Sequence, residues 1–348
     1  MMYKIEGQAL SDIGDAIREK TGKGDPITPR DMPSEIASIK NGGTGVYTEP
    51  VTVTVGSGGT YKTINEAHTA MSQAYPVYKQ GGLRCEIHIL SGTTIREQIT
   101  VVQQSLQWVT ITADDAEVPV DSTGWTTCGL DAHDLRDGNV PFFGGENAAN
   151  LPTIGCVFRL VKAGSAPAVG YFANRGSSGV ILSGCGFVEF RDGVISNNES
   201  IVIMREALAK SCSRYGIHAR HNGEIAARSA IITGAGECAI YADRAADIDA
   251  RMADVSGSDK AILANNASRI NAQSLSCYNL AGSASNGIVK AASLSIINAD
   301  KIQINGVSRG VLINVVDGST INALGATITG AEACTKYGQA PGTWTASA

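Results

Sequence analysis

The sequence predicts an all-β fold, a right-handed single-stranded parallel β-helix with coils of about 23 residues and three strands per coil. Two observations lead to this prediction. Apolar residues recur at a nearly constant spacing near the C-terminus, as in the column Ile217, Ile240, Ile262, Ile288 and Val311. The runs around them, such as EIAAR and TINAL, alternate with a period of two, which is typical of strands. One coil cannot bury its inward face alone, but stacked coils form a continuous core.

Further columns of like residues support the same repeat. Small alanines suit a narrow interior, and glycines at strand ends permit turns with positive φ. The second apolar column is Ile225, Ile248, Ile270, Ile297 and Ile321, and two residues later lies the alanine column Ala227, Ala250, Ala272, Ala299 and Ala323. The third column is Ile232, Val255, Leu280, Ile304 and Ile328, and the glycines are Gly234, Gly257, Gly282, Gly306 and Gly330.

Composition excludes several function classes. The net charge of −5 argues against a nucleic-acid partner, which requires a basic face. The sequence contains no run of 18 apolar residues, so insertion into a membrane is not predicted. The 8 cysteines form no CxxC pair, and we expect reduced core cysteines and synthesis in a reducing cytoplasm, with one or two disulfides in a secreted rod as the alternative. The segments GSGG and GGTG lack the Lys-Ser/Thr of a phosphate loop, and no cofactor or metal site is predicted.

The chain is predicted to divide into segments of different composition. An amphipathic helix begins at the Thr63 and Glu66 capping box and would cover the exposed end of the coil stack. The segments are a helical leader at 1–40, a linker at 41–50, the β-helix at 51–330 with its cap helix at 63–75 and a loop insertion at 113–155, and a tail at 331–348.

Two segments resemble known families. ALSDIGDAIREKTGKGDPITPRDMPSEIASI resembles a leader of many bacteriophage and prophage tail proteins, which implies attachment of residues 1–40 to a phage tail or baseplate protein. VTVTVGSGGTYKTINEAHTAM and the strand pairs after it resemble the cap and first coils of pectin-lyase-like β-helices, especially pectin esterases. The later esterase motifs QAVA, DFIFG and GRPW are absent, so an esterase activity is not implied.

Candidate site residues cluster in the middle coils and in the insertion. Cleavage of a glycosidic bond by hydrolysis needs two carboxylates, and a lyase needs a base beside a neutralising cation. The predicted catalytic residues are Glu189, Asp192 and Glu206, with Asp131, Asp134 and Glu146, or a site between subunits, as alternatives. The predicted substrate-binding residues are Arg205, His218, Arg220, Arg228, Asp131 and Asp134. The outward column Arg205, Arg228 and Arg251 is interpreted as a solvated face, a subunit interface or a groove for an anionic sugar.

The favoured function is that of a phage tail spike or tail fibre protein, made in the host cytoplasm and carried on the virion tail. It would be a homotrimer that binds, and in one version depolymerises, a bacterial surface polysaccharide. Two alternatives stay open: a polysaccharide lyase or esterase that acts alone, and a structural fibre module without a ligand. A signal peptide, a matched catalytic motif and a monomeric state would favour the lyase or esterase.

Overall fold

The computed structural model describes residues 11, 13–18, 28, 30, 45–76, 82–135, 138–280, 287–307, 310–330, 334–337 and 343–345. Within these residues the chain is a parallel β-solenoid, which confirms the predicted fold class. Three faces run along the solenoid, and each strand pairs with its counterparts in neighbouring coils.

The first two faces are continuous sheets of ten and eight strands. The first face consists of Ile99–Val102, Val140–Glu146, Ala168–Ala173, Asp192–Asn197, Tyr215–Arg220, Cys238–Asp243, Ile262–Asn265, Val289–Ala291, Gly310–Val315 and Cys334–Tyr337. The second face consists of Ser178–Val180, Ile201–Ile203, Glu224–Ala226, Asp247–Asp249, Arg269–Asn271, Ile296–Asn298, Thr320–Asn322 and Thr343–Thr345.

The third face is built from two shorter sheets, which are connected by isolated β-bridges through Ile231 and Asp254. Its strands are Val118–Asp121, Val157–Lys162, Gly186–Val188 and Leu208–Lys210, followed by Ser276–Tyr278, Gln303–Asn305 and Thr327–Thr329. The N-terminal coils carry an additional sheet, so they depart from the predicted three strands per coil. That sheet consists of Thr52–Val55, Cys85–Ile89, Val109–Ala113 and Thr153–Ile154, and Gly45–Tyr47 pairs separately with Ala74–Pro76.

The cap helix is confirmed at Ile64–Ser72. The Thr63 side chain accepts a hydrogen bond from the Glu66 backbone, and Glu66 completes the capping box, as predicted. Ile64, Ala67 and Met71 are buried against the first coils. Most of the predicted leader lies outside the described residues, although residues 13–18 are helical.

The second apolar column and the alanine column are confirmed, because all ten residues are buried and the isoleucines pair in register. The first column is wrong at two positions. Ile262 pairs with Val289, and Val289 pairs with Ile313, so Ile288 and Val311 are not its members. The step from residue 262 to 289 is longer than the repeat, and a constant spacing cannot predict where a longer coil returns to register.

The third column also deviates in this coil, because Cys277 and not Leu280 pairs with Ile304. The predicted glycine at Gly282 lies outside the described residues. The turn position is taken by Asn279, with φ of 52°, in line with Gly306 at 74°. Asparagine tolerates the left-handed region better than most residues, so the turn persists without glycine.

The predicted insertion boundaries are too wide. Val118–Asp121 and Val140–Glu146 are regular strands of the stack, so the segment that leaves the coils is 122–139. Leu130 and Leu135 of this insertion pack on the outer side of the first face in a separate apolar cluster with Val169, Phe172 and Ile195. The stack also continues past Gly330, because Cys334–Tyr337 and Thr343–Thr345 pair with the preceding coil.

Candidate functional site

The candidate site lies at the corner where the chain leaves the first face. From Asn147 to Asp317 each coil turns there through two consecutive residues with positive φ, such as His221 at 49° and Asn222 at 60°. Because successive coils stack in register, the first residues of these turns form a column along the corner. Its members are Asn147, Arg175, Asn198, His221, Arg244, Asn266, Ser293 and Asp317.

Buried polar residues precede this corner, at the ends of the first-face strands. Glu146, Asn174, Asn197 and Arg220 are each at most 5% exposed. The Asn197 Nδ2 donates to Asn174 Oδ1 at 2.8 Å, and the Asn174 Nδ2 donates to Glu146 Oε2 at 2.8 Å. A buried polar group must be paired to be tolerated, and this chain of hydrogen bonds between coils provides the pairing.

The insertion folds back onto this buried chain. Asp134 accepts hydrogen bonds from Asn174 Nδ2 at 2.9 Å and from Asn198 Nδ2 at 3.0 Å. The Arg220 guanidinium donates to the main-chain carbonyl oxygen of Asp134. The Asn and Arg side chains of three successive coils therefore hold one aspartate of the insertion at the corner.

Arg175 joins the carboxylates of the insertion to that of the first face. Its guanidinium lies 2.8 Å from Asp131 Oδ2, 2.9 Å from Asp134 Oδ2 and 3.2 Å from Glu146 Oε1. Burial acts to raise the pKa of Asp134, but the hydrogen bonds from Asn174 and Asn198 and the charge of Arg175 lower it below its usual value. At neutral pH Asp134 is therefore an anion, and the same carboxylates raise the pKa of Arg175.

His221 is held in one tautomer on the other side of the corner. Its Nε2 lies 2.6 Å from Arg244 Nη1, and its Nδ1 lies 2.8 Å from Asn197 Oδ1. A guanidinium has no acceptor, so Nε2 must accept the hydrogen bond and Nδ1 must carry the proton. The imidazole is thus oriented by both partners.

The turn residues at this corner line an open groove of about 500 Å³. The turn residues of three coils form its wall, with Glu199 and Asn222 exposed and His221 half-buried. The lining residues are Arg175, Gly176, Asn198, Glu199, His221 and Asn222. The groove therefore offers carboxylate, amide, guanidinium and imidazole groups at neighbouring heights of the stack.

The structure brings together three of the predicted binding residues, Asp131, Asp134 and Arg220. Arg220 is only 2% exposed, so it anchors the insertion and does not face the groove. His218 lies on the outer side of the first face, buried and stacked on Tyr241 with ring centroids 4.5 Å apart.

Arg205 and Arg228 are exposed and leave the second face at a different corner of the coil. They do not contribute to the groove.

The three predicted catalytic residues do not converge. Glu189 follows the third-face strand Gly186–Val188 and is paired with Arg159 at the surface. Glu206 precedes the next third-face strand and accepts a hydrogen bond from Ser183 Oγ at 3.0 Å. Asp192 is fully buried and accepts hydrogen bonds from Arg214 Nε at 2.9 Å and the Tyr215 backbone at 3.2 Å. Asp192 thus has a structural ion pair in place of access to a ligand.

The predicted site residues do not include the asparagines of the corner. The signal that identifies them is the same spacing that defines the core columns, because Asn174, Asn197, Arg220 and Asp243 follow one another at intervals of 23 residues. Polar residues that recur at the repeat interval therefore indicate a corner where polar side chains stack from coil to coil.

No protein-family model matches the chain, and no curated protein matches it significantly. Across the described ranges, no helix is both long enough and apolar enough to span a bilayer. In the same part of the chain, no group of three or more His, Cys, Asp or Glu side chains is arranged to hold a metal ion.

Proposed function

We propose that this protein is a receptor-binding protein of the phage tail spike or fibre type, which binds a bacterial surface polysaccharide along the corner groove. The observation that carries this proposal is the groove itself. It is open, it runs across stacked coils, and its lining is rich in paired and oriented hydrogen-bonding groups.

Stacked polar groups suit a polymer with repeating hydroxyl groups. Asn198, His221 and Arg244 recur at the same place in successive coils, and each is oriented by a hydrogen bond. Groups that are held in place before binding lose little conformational entropy when a ligand arrives. A polysaccharide chain along the stack would meet a similar set of donors and acceptors in each coil.

The electrostatics of the corner favour binding over hydrolysis. A glycosidase needs a carboxylic acid that keeps its proton near neutral pH. Asp134 has a lowered pKa, and Arg175 lies within ion-pair distance of Asp131, Asp134 and Glu146. These residues therefore support recognition of the glycan. Depolymerisation is a separate hypothesis, which is tested by analysing the polysaccharide for cleavage products.

The resemblance of residues 1–40 to phage tail leaders supports a place on the virion tail, where three copies would assemble. The alternatives make different predictions. A lyase or esterase that acts alone would release soluble fragments from the polysaccharide, and a structural module would bind no glycan.

The experiment is a titration of the full chain with surface polysaccharides from candidate hosts, combined with product analysis. Alanine already occupies the second turn position in later coils, at Ala245 and Ala267, so Glu199→Ala and Asn222→Ala should fold normally. We expect each to weaken binding about tenfold or more, since lost contacts of this type contribute about 1.4 kcal/mol or more.

Asn298→Ala is the matched control, because it removes a half-buried amide on the second face, away from the groove. Binding that survives both groove substitutions would place the glycan elsewhere. Absence of binding to any polysaccharide would refute the receptor-binding proposal and favour the structural fibre module.

A further inference from the structure

The guanidinium that lines the corner groove is surrounded by carboxylates of the same chain. Each nitrogen of Arg175 lies within ion-pair distance of a carboxylate, Nε of Asp134, Nη1 of Glu146 and Nη2 of Asp131. Three carboxylates therefore share one guanidinium. An anionic group of a ligand would meet a net negative charge on this side of the groove.

The other arginines of the corner are also engaged by groups of the protein. Arg244 Nε lies 3.6 Å from Asp243 Oδ2, and its Nη1 donates to His221 Nε2 at 2.6 Å. Arg220 is buried and donates to the main-chain carbonyl oxygen of Asp134. These guanidiniums hold side chains and the insertion in place, so their charge is directed toward the protein.

Glu199 is an exposed carboxylate in the wall of the groove. In the described part of the chain, no Lys, Arg or His nitrogen lies within 4.0 Å of this carboxylate. Glu199 occupies the second turn position at φ of 62°, where the coils on either side have Gly176 and Asn222. Glutamate is uncommon in the left-handed region, which glycine and asparagine adopt more readily. The turn therefore does not require a glutamate, whereas a ligand in the groove would contact it.

Negative charge exceeds positive charge around the groove. The charged groups at the corner are the carboxylates of Asp131, Asp134, Glu146, Glu199 and Asp243 and the guanidiniums of Arg175, Arg220 and Arg244. The second-face strands that follow the turns begin with Glu224, Asp247 and Arg269, which keep the excess negative.

We propose that the corner groove selects glycans without acidic groups and that Glu199 determines this specificity. This inference rests on the proposed function and adds the class of polysaccharide. A carboxylate, phosphate or sulfate group of a glycan opposite Glu199 would face a like charge, which costs free energy at an interface. A sugar hydroxyl group would instead donate a charge-assisted hydrogen bond to the same carboxylate.

The test compares one polysaccharide in two charge states in binding titrations of the full chain. The parent is the host polysaccharide that binds most tightly, and the derivative has its primary hydroxyl groups oxidised to carboxylates. We expect the oxidised form to bind the wild type about tenfold more weakly or worse at low salt. The difference should shrink in about 0.5 M salt, because dissolved ions screen the repulsion.

Glu199→Gln keeps the length of the side chain and removes its charge. It should reduce the difference between the two forms about threefold or more, mainly through tighter binding of the oxidised form. A difference caused only by the lost hydroxyl groups would not be reduced in this way. Glu206→Gln is the matched control and should leave the difference unchanged, because Glu206 is an exposed glutamate of the same coil, at φ of 57°, at another corner.

The outcomes separate this inference from the proposed function. A tightest-binding host polysaccharide that is itself acidic, or an oxidised form that binds as tightly as its parent, would overturn the inference and leave the receptor-binding function in place. An unchanged difference in Glu199→Gln would exclude Glu199 as the determinant. Absence of binding to every polysaccharide would refute the proposed function, and the inference with it.

Discussion

Asn174 is the residue whose substitution tests the corner most directly. Its side chain is fully buried, and its Nδ2 donates to Asp134 at 2.9 Å and to Glu146 at 2.8 Å. Asn174→Asp keeps the shape but replaces this donor by an oxygen. A hydrogen bond to a charged group contributes about 1.5–3 kcal/mol, so the loss of both costs about 3–6 kcal/mol. The added negative charge between two carboxylates increases the cost.

Urea unfolding followed by circular dichroism and by tryptophan fluorescence measures this change. Trp125 is a suitable probe, because it lies at the base of the insertion, stacks on Phe142 at 5.5 Å and is only 8% exposed. The destabilisation should shrink at acidic pH, where the introduced carboxyl group takes up a proton. Asn298→Asp, at a half-buried amide that donates to Asn271 at 3.2 Å, should cost about 1 kcal/mol or less. A stability for Asn174→Asp within about 1 kcal/mol of the wild type would refute the hydrogen-bond network described for the corner.

Three further predictions concern the stack. Ile248→Ala should lower the free energy of unfolding by about 2–5 kcal/mol, because the backbone pairing with the coils above and below prevents collapse of the cavity that the substitution creates. A loss below about 1 kcal/mol in urea titrations would argue against an inward position of Ile248. Burial lowers the pKa of His68, so the unfolded chain binds a proton first, and stability should fall as the pH drops below about 6.5. His68→Leu should show a smaller loss of the urea midpoint between about pH 7.5 and about pH 5, and an unchanged loss would exclude this histidine as the cause. A Cβ at Gly179 would lie 1.7 Å from the Tyr171 hydroxyl oxygen, so Gly179→Ala should cost about 1–3 kcal/mol, and the added substitution Tyr171→Phe should recover part of it in thermal melts.

The repeat made much of the fold predictable because each coil places the same position in the same environment. The inward sites of the second face, from Ile225 to Ile321, are buried in every coil and require similar side chains. Prediction failed where a coil changed length, as between Ile262 and Val289, because the spacing alone does not show where extra residues leave the stack.

Which residues form the site is harder to predict from the sequence, because Asp, Glu, His and Arg side chains are common on any protein surface. Glu189, Asp192 and Glu206 are close in sequence, yet Glu189 follows one third-face strand, Glu206 precedes the next, and Asp192 is buried on the outer side of the first face. In a solenoid, residues that are neighbours in space are separated by one repeat, so proximity along the chain is a poor guide. The structure places Asp134 of the insertion against Arg220 and Asp131 beside Arg175, and their role in substrate binding stays a prediction.

The amino-acid sequence by itself determined the solenoid, its cap helix and its interior columns, since these depend on local periodicity and on burial that repeats from coil to coil. Only the tertiary structure decided that Asp134 of the insertion meets Asn174, Asn198 and Arg220 at one corner. The path of an aperiodic loop depends on which surface it packs against, here the outer cluster of Leu130 and Leu135 on the first face. That packing has no period in the sequence, and so the groove beside it became visible only in three dimensions.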